Sequence, residues 1–270
     1  MILTLQQKQK AMLQKKLKEV QELFSICPDN QTLRLVYDLI LNFTEMDDEA
    51  YSLALNDISS YIINGNFKDK EIGILAMSDT KDPDSSQEVV QNLKLTLGIA
   101  KHLDIEIRNS FRYRKEFING KKQIIIVDDF IGSGKTCRSR YKALINDFKY
   151  QGNILFCFVA GMKDAIDSLK SEGINIYCPY IMEKGISGFY KRQDEKTARI
   201  SQMKCLEKQL APQINATLLS EHSFGYGGSE ALFCRRNKNI PNNTFPLFWW
   251  KEYANGDKRN TLYTRVQNGY

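Results

Sequence analysis

Residues 124–136 read Ile-Ile-Ile-Val-Asp-Asp-Phe-Ile-Gly-Ser-Gly-Lys-Thr, and the order of chemical types in this stretch decides the fold. Ile124, Ile125, Ile126 and Val127 run without polar alternation, the pattern of a strand buried on both faces. Asp128 and Asp129 follow at once, and then a small polar turn from Gly132 to Thr136. Beyond the turn, Tyr141, Leu144, Ile145 and Phe148 recur at i, i+3, i+4, i+7, which predicts a helix. Strand, acid pair, Gly/Ser/Thr loop and helix, in that order, present free backbone N–H groups and the positive end of a helix dipole to an anion. Gly132 and Gly134 let the backbone come close to it. Ser133 and Thr136 add hydroxyl donors, and Lys135 adds a cation. The two carboxylates stand at the carboxyl end of the strand, where open α/β sheets bind ligands. They can accept hydrogen bonds from vicinal hydroxyls, so a phosphate beside a diol, as in a ribose 5-phosphate, fits the stretch.

The loop also ends like a Walker A motif, which needs Gly, four residues, then Gly-Lys-Ser/Thr. Counting back from Gly134 puts Asp129 where the first Gly belongs. A carboxylate there would point into the phosphate cradle, and the loop is too short to wrap a β-phosphate. An ordinary strand–helix turn with a capping acid is the plainer alternative. Two adjacent acids between four apolar residues and Gly-Ser-Gly-Lys-Thr weigh against it.

Working outward, 270 residues suffice for one large α/β domain with additions. Hydrophobic content of 42% and charged content of 26% are those of a globular protein. The longest apolar run, near Ile154 to Gly161, falls far short of a membrane span, and the Lys- and Gln-rich start lacks a signal-peptide core. The net charge of +6 suits an anionic small ligand as well as nucleic acid. Six scattered cysteines without a C-x-x-C pair read as reduced core residues, so a cytoplasmic location is expected. With only His102 and His222 beside them, they do not make a zinc site.

Residues 1–24 predict a basic helix with a weak apolar stripe, either packed on its own domain or serving as a contact arm for a protein or nucleic acid. Helices are expected over Asn30 to Phe43 and Thr44 to Ile63, so that 1–66 form a helical N-terminal extension. An α/β core over 67–180 follows. It starts with a strand at Glu71 to Met77 and a helix from Ser85 with Glu88 as its capping-box partner. Arg108, Arg112, Arg114 and Lys115 place four cations within eight residues, as a pyrophosphate contact, a mobile loop or a solvated hairpin. Strand Asn153 to Ala160, helix Lys163 to Ser171 and strand Ile174 to Cys178 complete a mostly parallel sheet with right-handed crossovers. Past Pro179 comes an irregular loop, then a helix from Asp194 to Leu210, and an α+β addition over 181–270. In that addition Phe245, Phe248, Trp249 and Trp250 form either a packed seam or a hood that stacks on a base.

Residues 124–136 resemble the phosphoribosyl diphosphate (PRPP) loop of the type I phosphoribosyltransferases, whose motif is four apolar residues, two acids, two apolar residues and a small Thr/Ser/Gly loop. Asp128 and Asp129 match the acids, and Ser133, Gly134, Lys135 and Thr136 match the phosphate-binding turn. Phe130 is larger than usual, and Gly132 stands where a small polar residue is commoner. The C-terminal block resembles phosphoribosyltransferase-like proteins of bacterial conflict and anti-phage defence systems, including some carried beside retron reverse transcriptases. Gly225-Tyr226-Gly227, Ser229, Ala231-Leu232, Pro241 to Pro246 and Trp249 carry that second resemblance.

The resemblance implies a Rossmann-like sheet, Mg²⁺-dependent transfer of phosphoribose from PRPP, and release of pyrophosphate. It implies that Asp128, Asp129, Arg112 and Lys135 are catalytic, and that Gly132, Ser133, Gly134, Lys135 and Thr136 bind the phosphate. By position, Ser78, Asp79, Thr80 and Lys81 of the loop after the first core strand, with Arg108 and Arg114, are candidates for the pyrophosphate. Mg²⁺ would arrive with the substrate, with Asp128 and Asp129 orienting it through water. A non-catalytic PRPP or nucleotide module docking on a partner is the alternative. A reverse transcriptase with its nucleic acid, or another defence partner, is the implied macromolecular contact. Dimers are common in the resembled family, and no membrane contact is expected.

Overall fold

The computed structural model describes residues 14–65, 71–79, 84–97, 104–120 and 123–266. Two compact units are present, one of Asp48–Met182 and one that joins Met1–Asp47 to Glu183–Tyr270. The helix expected at the end of a 1–66 extension therefore groups with the sheet, and the described residues before it, 14–47, group with the C-terminal segment.

The chain opens with α1 (Leu17–Ser25) and α2 (Asn30–Leu41). Asp29 caps α2, its carboxylate accepting from the Thr32 N–H at 2.7 Å. Residues 1–13 of the expected basic helix lie outside the described residues. Where a helix was expected from Thr44, the chain instead forms strand β1 (Thr44–Met46). The reason is non-local: β1 pairs in parallel with Phe233–Arg235, and Thr44 N donates to Leu232 O at 2.9 Å. The helix α3 starts only at Asp48 and runs to Ile63, with Asp48 and Glu49 at its positive end.

The unit Asp48–Met182 is α/β. After α3 come β2 (Glu71–Ala76), α4 (Ser85–Leu97), β3 (Asp104–Arg108) and α5 (Arg114–Asn119). Then follow β4 (Gln123–Ile131), α6 (Lys135–Lys142), β5 (Ile154–Met162), α7 (Lys163–Ser171), β6 (Asn175–Tyr177) and β7 (Tyr180–Met182). The strands lie in the order β3-β2-β4-β5-β6 and every pair is parallel. Strand β7, where an irregular loop was expected, pairs with β5 beyond β6. Pro179, which has no N–H to give the ladder, separates the two short strands. Ile124 to Val127 are fully buried, as an unbroken apolar run requires.

From β2 the chain crosses to β3 on one side. It then returns past β2 to β4 and continues the other way to β5 and β6. Right-handed crossovers in opposite directions place α4 on one face of the sheet and α6 and α7 on the other. Helix α3 packs on α4 and β5. Helix α5 sits close because Gly73 of β2 has no side chain: a Cβ there would lie 2.3 Å from the Phe117 ring. The strand order reverses between β2 and β4, and that reversal is where open sheets of this kind hold ligands.

The second unit adds α8 (Gln193–Glu207), the short hairpin β8 (Gln213–Ile214) and β9 (Thr217–Leu218), and β10 (Phe233–Arg235). Its core joins α1, α2 and α8 to the C-terminal aromatics. Phe245, Phe248, Trp249 and Trp250 are all at most 2% exposed, so they are a packed seam and present no face to a base. Trp249 Nε1 donates to Thr244 O at 2.9 Å, and Phe43 stacks on Tyr263 with ring centroids 4.4 Å apart. The residues from Gly225 to Thr244 are tied to one another. Tyr226 N donates to Asn242 O at 2.8 Å, and Ser229 Oγ donates to Asn243 O at 2.7 Å. Gly225, at φ +80°, passes so near Asn243 that a Cβ would lie 1.8 Å from its carbonyl oxygen.

Candidate functional site

Strand β4 outlasts β2. The last β2 partner is Ala76 beside Val127, after which Met77 N donates to Val127 O at 2.9 Å. Asp128 and Asp129 thus stand on the strand itself, half-buried, just past the end of its neighbour. The period of two sends them to opposite faces. Asp129 meets the start of α4, where Ser85 Oγ donates to Asp129 Oδ1 at 2.7 Å. Asp128 turns back on the chain and accepts the Asp129 N–H at 2.9 Å. Asp84 lies at the same edge and caps α4, accepting from Ser86 N at 2.9 Å and Ser86 Oγ at 2.7 Å. That cap comes one residue before the Ser85–Glu88 box expected from the sequence.

Burial, then the negative charges of Asp129 and Asp84, hold the Asp128 carboxyl well above the usual carboxylate range. This edge of the sheet is therefore poised for a cation or for hydroxyl donors. Among the described residues no group of three His, Cys, Asp or Glu is placed to cage a metal. Asp128 and Asp129 are the residues that could hold Mg²⁺, an ion bound through one or two carboxylates plus substrate phosphates.

The loop after β4 leads into α6 at Gly134, which takes the left-handed conformation at φ +73°. Gly132 does not; of the two loop glycines only Gly134 has a positive φ. A Cβ on Gly134 would also lie 2.9 Å from Leu169 Cδ1 of α7. No side chain caps α6, so its first turn offers backbone N–H groups to an anion. Ser133 is half-buried, while Lys135 and Thr136 are exposed at the loop's rim. Arg138 anchors α6 to α7 by a fork to Glu172, with Nε–Oε2 at 2.7 Å and Nη2–Oε1 at 2.5 Å. Cys137 is buried beneath the helix, and burial pushes its thiol far up, so it is no nucleophile.

The segment after β2 closes the other side. Ser78 N donates to Ser86 Oγ at 3.2 Å, and Ser78 O accepts from Phe111 N at 2.9 Å. Asp79 O accepts from Arg112 Nε. Thr80 and Lys81 lie outside the described residues. The expected basic cluster is neither a hairpin nor a row of equivalent cations, because the chain folds it into β3, a short 3-10 turn and α5. Arg108 is taken up by Glu106 and by Glu116, the latter at 3.2 Å. Arg114 lies with its guanidinium carbon 4.8 Å from the Phe111 ring and 4.9 Å from the Phe148 ring, and its Nη1 donates to Phe111 O. Of the cluster, Arg112 alone among these three reaches the segment after β2.

Arg140 of α6 joins it there, a residue the helical pattern does not single out. Its Nη2 lies 3.0 Å from Asp79 Oδ1, its Nε donates to Met77 O at 3.2 Å, and its guanidinium carbon stands 4.8 Å from the Phe111 ring. The structure thus gathers Asp128, Asp129, the 132–136 loop, Ser78, Asp79 and Arg112 around the strand reversal, adds Ser85, Asp84 and Arg140, and turns Arg108 and Arg114 to packing and pairing.

Two solved structures similar to this chain are a hypoxanthine-guanine-xanthine phosphoribosyltransferase and the hypoxanthine-guanine phosphoribosyltransferase of Schistosoma mansoni in complex with IMP. The first is 15% identical with a TM-score of 0.35, over 54% of this chain and 84% of that one. The second is 13% identical with a TM-score of 0.32, over 50% and 63%. Scores this low carry no weight for the chemistry of the site. No curated protein matches the sequence. The family model described as PRTase-CE, in contrast, matches residues 11–265, nearly the whole chain and both of its compact units. On that match the chain belongs to the PRTase-CE family.

Proposed function

We propose that the protein transfers a phosphoribosyl group from PRPP to an acceptor and releases pyrophosphate. The observation that carries this reading is the half-buried pair Asp128–Asp129 at the strand reversal, directly ahead of an uncapped helix entered through left-handed Gly134. The 132–136 loop would hold the 5-phosphate through backbone N–H groups and the Ser133 and Thr136 hydroxyls. Asp128 and Asp129 would accept hydrogen bonds from the ribose hydroxyls, Ser85 fixing the second carboxylate. Arg112 and Arg140 would meet the pyrophosphate from the segment after β2. In the reaction the bond from C1 to the pyrophosphate oxygen breaks and its electron pair leaves with pyrophosphate. The acceptor's nucleophile bonds to C1 and gives up its proton. Mg²⁺, held through PRPP and the Asp128–Asp129 pair, would neutralise charge on the leaving group. Each well-placed cation or donor there is worth roughly 2–4 kcal/mol in the transition state.

The C-terminal resemblance supports placing this activity in bacterial anti-phage defence, in a retron-type system. The test has two layers. Calorimetric titration with PRPP, with and without Mg²⁺, is run on the wild type and on Asp128→Asn/Asp129→Asn, and pyrophosphate is assayed in the same samples. Mg²⁺-dependent binding that the double variant loses, with pyrophosphate release, is the expected result. Binding without release would favour a sensing module, and equal binding by the variant would refute the site. Phage plating on cells carrying the wild-type system or the double variant tests the defence role.

A further inference from the structure

We propose, on the reading that the segment after β2 meets the pyrophosphate of PRPP, that Phe111 is a positioning residue for that group. Its ring holds the Arg140 guanidinium where the pyrophosphate would seek it. Phe111 opens the 3-10 turn Phe111–Tyr113 between β3 and α5. Main-chain atoms and a serine fasten this turn to the segment after β2. Phe111 N donates to Ser78 O at 2.9 Å, and Ser110 Oγ, which caps the turn, donates to the same carbonyl at 3.2 Å. The Phe111 ring is thus placed by bonds that its own side chain does not make, and it is 1% exposed.

Two guanidinium groups lie over this ring, those of Arg114 and Arg140, each with its carbon 4.8 Å from the centroid. An aliphatic side chain would fill the same core space, but only an aromatic face attracts a cation. The two arginines differ in what else they touch. Arg114 also lies over Phe148, and its Nη1 turns back to Phe111 O, so it is taken up in packing. Arg140 comes from α6 and reaches the segment after β2, with Nε on Met77 O at 3.2 Å and Nη2 on Asp79 Oδ1 at 3.0 Å. The N–H groups of a guanidinium lie in its plane, so both bonds grip its edge. A pyrophosphate that took the place of the Asp79 carboxylate would remove one of these two grips. Met77 O and the Phe111 ring would then hold the side chain. A guanidinium fork set in advance by its surroundings loses less rotamer freedom when it binds an anion, and Phe111 supplies that setting.

The test is calorimetric titration of the full chain with inorganic pyrophosphate and Mg²⁺, with ribose 5-phosphate as a second probe for the 132–136 loop. Phe111→Leu removes the aromatic face but also opens a cavity in the core. Phe111→trifluorophenylalanine, introduced by amber suppression, keeps the shape of the ring and withdraws negative charge from its face, so it carries the test. Fluorination should weaken pyrophosphate binding about threefold, with Tm and ribose 5-phosphate affinity unchanged. In an Arg140→Met background the same fluorination should change pyrophosphate affinity by less than about twofold. Unchanged pyrophosphate affinity in the fluorinated protein would overturn the assignment of Phe111 and leave the proposed activity standing. An undiminished loss in the Arg140→Met background would overturn it as well, tracing the effect to Arg114 or to packing. So would a matching loss of ribose 5-phosphate affinity, which would mark distortion of the whole site. No pyrophosphate binding by the wild type would overturn it outright, and PRPP titration of the same samples would then show whether the active-site reading falls with it.

Discussion

Arg140 and Asp79 form an ion pair at 3.0 Å that ties the helix after the phosphate loop to the segment after β2. Arg140 is anchored a second time, by its Nε on Met77 O, and Arg112 reaches the Asp79 carbonyl. In this arrangement the Asp79 carboxylate occupies the guanidinium that a pyrophosphate would also seek. A ligand must displace it, at a cost set by a partly exposed pair, up to about 1 kcal/mol. Asp79→Asn should therefore tighten inorganic pyrophosphate binding by up to about fivefold. Arg140→Lys, which keeps the charge but loses the planar fork, should weaken it. Calorimetry on both variants checks the pair of signs, and parallel changes in both would disprove competition.

Gly134 meets two constraints, a left-handed backbone and the approach of Leu169. A side chain in that conformation costs roughly 1–2 kcal/mol. Leu169 Cδ1 is the far end of a flexible side chain and can yield, so the backbone term dominates. Gly134→Ala should lower Tm by a few degrees. It should also weaken PRPP binding more than tenfold, because the N–H groups at the start of α6 would be displaced. Gly132→Ala, at a position without positive φ, should cost less in Tm.

The sequence alone allows Trp249 two readings, a packed seam and a stacking hood. Its 2% exposure and its bond to Thr244 O settle the first. Trp249→Ala should destabilise the protein by about 3–5 kcal/mol, as for other buried aromatics. Chemical denaturation measures this directly. A change in acceptor preference at unaltered stability would be the contrary result.

What was legible in the sequence was local. Ile124 to Val127 announce a two-sided buried strand, and Asp128, Asp129 and Gly134 mark the candidate site, because all lie in one continuous stretch. What was not legible depends on partners distant in the chain. Arg140 reaches Met77 across 63 positions, and nothing in the apolar spacing of its helix marks it. Thr44 to Met46 follow a helix and precede another, and only pairing with Phe233 to Arg235 makes them a strand. The cluster from Arg108 to Lys115 misled by charge count alone. Glu106 and Glu116, a few positions away, neutralise Arg108, and Phe111 and Phe148 hold Arg114.

Asp128 gives a prediction that needs no ligand. Burial and the neighbouring charges of Asp129 and Asp84 raise its folded carboxyl above the ordinary value near 3.9. The folded protein then holds a proton that the unfolded chain has released, so stability falls as pH rises from about 4 through the raised folded value. Asp128→Asn removes that penalty while keeping the shape and an acceptor for the Asp129 N–H. At pH 7 the variant should melt at least about 2 °C above the wild type, the shift that about 1 kcal/mol gives in a chain of this size. At pH 4 the difference should vanish, since the wild-type carboxyl is then protonated in the fold. Mg²⁺ with PRPP should raise the wild-type Tm and leave the variant's unchanged, because the ionised pair is what a cation would stabilise. Differential scanning calorimetry across pH 4 to 8 measures each term. A wild type that melts above Asp128→Asn at pH 7 without ligand would show that Asp128 is held ionised by the fold itself.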